Sequence, residues 1–123
     1  MPRHNMGDRV HSNMKAYDVY IGYGDKPDAQ EAFTHLEGFA LGLGMPGFTS
    51  FDARGGWLSP VGDEIYEPVR VFRFILPDTL DPLPWSIEVF ISVARQRLNQ
   101  GAVLVTATKL EYMKFHIGEE AKC

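Results

Sequence analysis

Cysteine is nearly missing from this chain of 123 residues, since the single one, Cys123, is the last residue. One thiol excludes an intramolecular disulfide, and it excludes any metal site built on a Cys-x-x-Cys pair. Its position also differs from that of a prenylated cysteine, which is fourth from the end. A chain of this length buries enough surface to fold without such a crosslink.

Long apolar runs and an excess of positive charge are missing as well. No run approaches the roughly 18 apolar residues of a membrane-spanning helix, and residues 1–15 lack the apolar core of a secretory signal. The net charge is −4, and an acidic chain repels the phosphate backbone of a nucleic acid. We therefore expect a cytoplasmic protein with neither a nucleic-acid nor a membrane partner.

The common signatures of cofactor and metal chemistry do not occur in the sequence. It has no phosphate-binding Walker loop, no dinucleotide fingerprint and no nucleophile elbow. The four histidines, His4, His11, His35 and His116, include no pair at the i, i+4 spacing of a helical zinc site. We predict no cofactor and no metal, we assign no catalytic residue, and we leave enzyme activity open.

Apolar residues recur at the spacings of strands and helices. They alternate from Tyr17 to Tyr23, which predicts a strand over residues 16–24. From Ala29 to Leu43 they recur every three or four positions, which predicts a helix, and Asp28 with Glu31 resembles a capping box at its start. The same patterns predict strands over 47–58, 64–76 and 102–116, and a second helix from about Pro84 to Gln100.

The predicted order is therefore β-α-β-β-α-β. In about 100 residues this order is typical of the ferredoxin-like α+β fold, in which two helices cover one face of a four-stranded antiparallel sheet. We predict a flexible tail over residues 1–15, the ferredoxin-like domain over 16–118, and a short C-terminal tail over 119–123.

The predicted strands carry apolar residues on both of their faces, which favours a homo-oligomer, either a dimer or a trimer. The residues behind this inference are Tyr20, Tyr66, Phe72, Phe74, Leu104 and Tyr112. On the second helix, Trp85, Val89 and Val93 form a stripe outside the main apolar face. We predict this stripe as an interface, and the alternative is a wider core.

The middle hairpin carries the densest group of polar and aromatic side chains. Two arginines would supply planar forks for a carboxylate or phosphate, two aromatic rings a stacking surface, and a glycine close access to the backbone. We predict a binding site for a small anionic or aromatic ligand. Its residues are Arg54, Gly56, Trp57, Tyr66, Glu67 and Arg70. The alternative is cross-strand ion pairing without a ligand.

One stretch of the hairpin resembles a known pattern. Residues 47–57 read Gly-Phe-Thr-Ser-Phe-Asp-Ala-Arg-Gly-Gly-Trp, and Gln100-Gly-Ala-Val-Leu104 follows the second helix. Both are similar to an uncharacterised bacterial domain-of-unknown-function family of small proteins, whose pattern is G-[LF]-T-x-x-D-x-x-G-x-W. The resemblance covers residues 17–106, implies a fold rather than a reaction, and directs attention to Asp52, Gly56, Trp57 and Glu67.

A looser likeness connects the chain with the PII and CutA regulators, which are also ferredoxin-like, and favours small-molecule binding by an oligomer. The first hypothesis is therefore a non-enzymatic, oligomeric binding protein. The second is a module that binds or inhibits another protein through the hairpin. The third is a small enzyme of the dimeric α+β barrel type, for which His35 and His116 would be the candidate pocket residues.

Overall fold

The chain forms a four-stranded sheet with two helices packed against one of its faces. We describe residues 9–11, 13–80, 83–100 and 102–116 of a computed structural model. Its elements are β1 (Arg9–His11), β2 (Met14–Gly22), α1 (Ala29–Gly42), β3 (Thr49–Leu58), β4 (Glu64–Pro77), α2 (Trp85–Leu98), β5 (Leu104–Leu110) and β6 (Met113–Phe115).

The four long strands and the two helices follow each other in the predicted β-α-β-β-α-β order. In the sheet the strands lie in the order β3-β4-β2-β5, and every neighbouring pair is antiparallel. Two crossovers, each with one helix, place the first strand of the motif between the third and the fourth. The fold is ferredoxin-like α+β, as the sequence predicted.

The core lies between the sheet and the helices. Tyr17, Val19 and Ile21 of β2 are fully buried there, as their alternation predicted. Phe72 of β4 lies opposite Val19 and is the centre of an aromatic cluster. Its ring centroid is 5.0 Å from that of Phe90 on α2, in an edge-to-face arrangement. Such pairs add to the stabilisation that burial alone provides.

The helix ends differ in detail from the prediction. α1 begins directly after Asp28, but the Asp28 side chain makes no capping hydrogen bond. α2 ends at Leu98, two residues before the predicted end, because Asn99 adopts the left-handed conformation with φ of 52°. A left-handed residue at this position terminates a helix, and asparagine tolerates the conformation better than most residues.

A second, two-stranded sheet joins part of the predicted N-terminal tail to the end of the predicted strand over 102–116, which divides into β5 and β6. Residues Arg9–His11 pair with Met113–Phe115, and Arg9 lies opposite Phe115. This pairing continues the register of β2 with β5, in which Met14 lies opposite Leu110. β2 itself begins at Met14, two residues before the predicted boundary. Residues 1–8, 12 and 119–123 of the predicted tails lie outside the described residues.

The β3–β4 hairpin extends beyond the rest of the sheet. β4 pairs with β2 only from Val69 onward, whereas it pairs with β3 as far as Glu64. Residues 54–68 therefore form a two-stranded extension, which we call the arm. Pro68 suits its place at the root of the arm, because its carbonyl accepts a hydrogen bond from the Tyr23 N–H at 3.1 Å while its missing N–H interrupts no ladder.

Candidate functional site

The sheet face opposite the helices, which we call the open face, is covered by no helix of the described chain. Its side chains come from the even positions of β2 and β5 and from the odd positions of β3 and β4. Neighbouring side chains bury Val69 and Val71, but Trp57 is 47% exposed and Leu104 is 61% exposed. An apolar surface of this kind is typical of a binding or contact region.

A pocket of about 630 Å³ opens on this face at the root of the arm. Its walls come from β2, β3 and β4 and from the segment that leads from α2 into β5. The pocket lining includes Tyr20, Gly22, Gly55, Trp57, Glu67 and Leu104. The volume lies in the range that suits a small organic ligand.

Among the described residues, Glu67 is the only acidic side chain in the pocket wall. Its carboxylate lies over Gly22, where a Cβ atom would collide with Glu67 Oε1, so a glycine is required at position 22 for this arrangement. The side chain is half-buried, and within the described part of the chain it has no hydrogen-bond or ion-pair partner. A half-buried carboxylate without a partner attracts a positive charge or a hydrogen-bond donor.

Trp57 forms an aromatic wall of the same pocket. A Cβ atom at Gly55 would lie 2.8 Å from Cζ3 of Trp57 and 2.9 Å from Cγ2 of Val69. Gly55 therefore lets the indole ring lie close to the sheet, against Val69. Because Trp57 is only half-buried, part of the ring stays available for stacking on an aromatic ligand.

Three of the predicted site residues, Arg54, Gly56 and Tyr66, lie together on the opposite face of the arm. The guanidinium carbon of Arg54 is 4.6 Å from the ring centroid of Tyr66, a cation–π contact. Gly56 lies under the same ring, since a Cβ there would be 3.0 Å from Cε1 of Tyr66. Arg54 and Gly56 contribute to the pocket wall, but the charged end of Arg54 points away from it.

Arg70 lies apart from the pocket, on the helix side of the sheet. Its Nε donates to Asp52 Oδ1 at 2.8 Å, and its Nη2 donates to Gln30 Oε1 at 2.8 Å. The guanidinium also lies 4.8 Å from the ring centroid of Phe33. The two arginines of the predicted site therefore do not converge on one point, and they do not form the predicted fork for an anion.

The polar cluster of Asp52, Arg70 and Gln30 also includes Tyr23 and changes its titration. The phenol donates a hydrogen bond to Asp52 Oδ1 at 3.3 Å. Partial burial of the ring raises the pKa of Tyr23 above its ordinary value, and the negative charge of Asp52 raises it further. The group joins the root of the arm to the end of β2, so it positions the arm rather than a ligand.

Sequence reasoning did not assign Tyr20, Gly22 or Leu104 to a ligand site, although it used Tyr20 and Leu104 as evidence for an oligomer. The alternation in β2 places Tyr20 and Gly22 on the open face, and their register with β4 and β5 then places them beside Glu67 and Leu104. The signal in the sequence was a glycine at the end of a strand of otherwise larger residues, which indicates a close approach by another group.

The predicted interface stripe on α2 divides into two parts. Trp85 is 67% exposed, at the first position of the helix. Val89 is half-buried, and Val93 packs against the core. Val93 therefore belongs to the wider core, which was the alternative to an interface. Of the three residues, Trp85 is the one whose side chain is mostly exposed and available for a contact with another molecule.

The histidines and acidic residues form no metal site among residues 9–11, 13–80, 83–100 and 102–116. His35 Nδ1 lies 2.8 Å from Arg97 Nη1, in the groove between the two helices. Neither His35 nor His116 lines the open-face pocket. In the part of the chain that the structure describes, no helix is both long and apolar enough to cross a bilayer.

Comparison with known proteins gives no match to a family model and no match to a curated protein. The resemblance to the bacterial domain-of-unknown-function family is therefore still a prediction.

Solved structures do match. One is a phage SAM lyase in complex with S-methyl-5'-thioadenosine, with a TM-score of 0.61, 15% identity, and coverage of 88% of this chain and 93% of that one. Another is CutA from Synechococcus elongatus, with a TM-score of 0.54, 6% identity, and coverage of 88% and 86%. At these identities the likeness shows the fold, and it confirms the predicted likeness to CutA at that level.

Proposed function

We propose that this protein is a self-associating binding protein, and that its open-face pocket holds a small molecule with an aromatic ring and a positive charge. The observation that carries the proposal is the Glu67 carboxylate, which lies half-buried and without a partner in the described chain, over Gly22 and in the same pocket as Trp57. A cation beside Glu67 would satisfy this carboxylate, and an aromatic ring would stack on the indole.

The positions of the arginines favour a cationic ligand over the anionic one that the sequence suggested. Arg54 is directed to Tyr66, and Arg70 is held by Asp52 and Gln30. The charge that faces the pocket is therefore negative. An anionic ligand would be repelled by Glu67 without a guanidinium to compensate.

S-Adenosylmethionine is the first ligand to test. It combines an adenine ring with a sulfonium cation, and a phage SAM lyase with a similar fold forms a complex with S-methyl-5'-thioadenosine. S-Methyl-5'-thioadenosine has the same ring system without the sulfonium charge. Adenosine monophosphate has the ring with a negative charge, so the three molecules separate stacking from charge.

Isothermal titration calorimetry with these three molecules tests the proposal. We expect the affinity to fall from S-adenosylmethionine to S-methyl-5'-thioadenosine to adenosine monophosphate. Glu67→Gln should weaken the binding of S-adenosylmethionine about tenfold or more, because it removes a charge-assisted contact. Trp57→Ala should weaken all ligands that bind, by about tenfold, because it removes the stacking surface.

Tyr66→Ala is the matched control, because Tyr66 lies on the same arm but on the face opposite the pocket. It should leave the affinity unchanged. The proposal would be wrong if adenosine monophosphate bound most tightly, or if Tyr66→Ala weakened binding as much as Trp57→Ala. If no ligand bound and one protein partner were captured instead, the arm would be an interaction module.

A second candidate function is an enzyme that acts on the same ligand. The observation in its favour is again Glu67, since a half-buried carboxylate beside a bound cation is able to act as a general base. Incubation with S-adenosylmethionine, followed by mass spectrometry for S-methyl-5'-thioadenosine, tests it. We expect Glu67→Gln to abolish any such product, and product formation by this variant at the wild-type rate would exclude a catalytic carboxylate.

A further inference from the structure

The sheet has two free edges, one on β3 and one on β5. In an antiparallel sheet, the backbone N–H and C=O groups of successive residues point to opposite sides of the strand. The hydrogen bond from the Tyr23 N–H to the Pro68 carbonyl therefore fixes, strand by strand, which residues direct these groups to which neighbouring strand. The N–H and C=O groups of the even residues of β3 point outward, away from β4. Those of the odd residues of β5, from Val105 to Lys109, point outward from β2.

The β3 edge has little protection against pairing with another strand. It is ten residues long, it contains neither proline nor lysine, and most of its side chains are exposed. Free edges of this length are usually blocked by such residues or covered by another element. An edge without them is suited to pair with a strand from another chain.

We propose that β3 of one copy of this protein pairs with β5 of a second copy, antiparallel, with Asp52 opposite Lys109 of the second copy. This register is singled out by the side chains that it brings together. Asp52 meets an opposite charge, and Trp57 meets the exposed Leu104 of the second copy. Seven residues of β3 then lie opposite all seven of β5, and the outward N–H and C=O groups of both strands face each other.

The charges of Asp52 and Lys109, which form the second pair from one end of this register, fit each other. Asp52 is 58% exposed, and its Oδ1 already accepts from Arg70 and Tyr23, which leaves Oδ2 for a further donor. Lys109 is exposed and has no ion pair within the described part of its own chain. Opposite charges directly across a strand pair stabilise it, whereas a slip of two residues would place Lys109 opposite Arg54.

The alternative pairing of β3 with β3 of a second copy fits less well. A two-fold axis at Ala53 would place Asp52 opposite Arg54, but it would place Phe51 opposite Gly55 and Trp57 opposite Thr49. It would also leave the β5 edge and Leu104 uncovered. Pairing of β3 with β5 uses both edges of every copy, and a head-to-tail contact of this kind forms a ring when the rotation between copies closes.

The ring would complete the ligand pocket. Leu104 of the second copy would extend the wall of the pocket at Trp57, on the outer side, where the indole is now exposed. This inference rests on the self-association in the proposed function, but it does not depend on the identity of the ligand. A crosslinking experiment therefore tests it separately from ligand binding.

The test is a disulfide between Ala53→Cys of one copy and Thr108→Cys of the next, in a Cys123→Ser background. The register places these two small, exposed residues directly opposite each other, in a pair without backbone hydrogen bonds, where the Cβ atoms are closest. Within one chain, two strands separate them, and this separation of about 14 Å excludes an internal disulfide. Oxidation should convert most chains into covalent oligomers on a non-reducing gel.

Two control variants distinguish the proposed register from other strand pairings. Ala53→Cys with Thr106→Cys places the thiols on a diagonal and should crosslink at least fivefold less. Ala53→Cys alone should stay uncrosslinked, whereas pairing of β3 with β3 would join it to itself. Efficient crosslinking in either control overturns the register. Light scattering that finds a monomer overturns the interface as a whole.

Lys109→Pro provides a second measurement. The Lys109 N–H points to the free edge, so its loss breaks no ladder bond within the chain but blocks a strand that pairs from outside. We expect a folded monomer by circular dichroism and light scattering. A folded oligomer of unchanged size would show that the β5 edge is not the interface.

Discussion

Asp18 and Arg73 lie directly opposite each other on β2 and β4 and form a two-pronged ion pair in the middle of the open face. Arg73 Nε donates to Asp18 Oδ1 at 2.8 Å, and Nη2 donates to Oδ2 at 2.9 Å. The Asp18 hydrogen bonds and charge raise the pKa of Arg73. This pair lets a charged residue of a central strand, only 9% exposed, lie among apolar neighbours.

Breaking this pair from one side should destabilise the fold. Arg73→Met leaves the Asp18 carboxylate without its partner, and we expect a loss of about 2 kcal/mol in the free energy of unfolding. The double variant Asp18→Leu/Arg73→Met should recover most of that loss, because no charge is left. Urea denaturation of the three proteins checks this, and an equal loss in the double variant would contradict the account.

Enlarging Gly22 should weaken ligand binding more than it weakens the fold. The Cβ of Gly22→Ala would displace the Glu67 carboxylate, which lies at the end of a flexible side chain, so the melting temperature should change little. The affinity for S-adenosylmethionine should fall by about tenfold, as for loss of a charged contact.

Gly38→Ala is the matched control for this comparison. Gly38 lies in α1, and no heavy atom lies within 4 Å of the position that an added Cβ would take, so the substitution is free of clashes. It should raise stability by about 0.5–1 kcal/mol through helix propensity and leave ligand affinity unchanged. A loss of affinity in Gly38→Ala would mean that the effect at position 22 is not local.

The helices and long strands were predictable because each is specified by its own apolar pattern. Tyr17, Val19 and Ile21 alternate on the face of β2 that packs against the helices. The buried residues of α1 recur at helical spacing on the face that packs against the sheet. β1 is three residues long, too short for a pattern to show, and β6 lies inside the single strand predicted over 102–116. Their pairing depends on the register of β2 with β5, which only the assembled sheet defines.

The candidate site was harder to predict for a related reason. Sequence reasoning grouped Tyr66, Glu67 and Arg70 in one site, whereas the structure places Tyr66 and Arg70 on one face of β4 and Glu67 on the other. Sequence reasoning also did not show that Gln30 of α1 would hold Arg70 on the helix side. That contact depends on how the helix packs across the sheet.

The elevated pKa of Tyr23 predicts a loss of stability at alkaline pH. Both folded and unfolded chains carry a neutral phenol below about pH 10, so the contribution is constant there. As the pH rises further, the unfolded chain ionises first, and the free energy of unfolding falls.

Urea denaturation between about pH 8 and about pH 11 checks this expectation. At the lower end of this range, the free energies of unfolding of the wild type and of Tyr23→Phe should change in parallel with pH. At the upper end, the free energy of unfolding of the variant should fall less steeply. Identical slopes throughout the range would show that Tyr23 does not contribute to the pH dependence.

Phe72 should be the most sensitive position in the core. It is fully buried, and its ring lies against those of Phe90, Phe33 and Phe74. Phe72→Ala should lower the free energy of unfolding by about 3–5 kcal/mol. Phe51→Ala on the open face, where the ring is 39% exposed, should lower it by no more than about half as much. Comparable losses would contradict the assignment of the core to the helix side.

The pairing of Arg9–His11 with Met113–Phe115 brings the two ends of the described chain to one corner of the molecule, where they run side by side in opposite directions. The covalent order of the elements is therefore open to rearrangement. A short glycine-rich peptide joining the ends, with new termini opened in the turn at residues 59–63, would give a circular permutant with every long strand intact. In such a protein the tip of the arm would carry the free ends, while the corner at β1 and β6 would be closed.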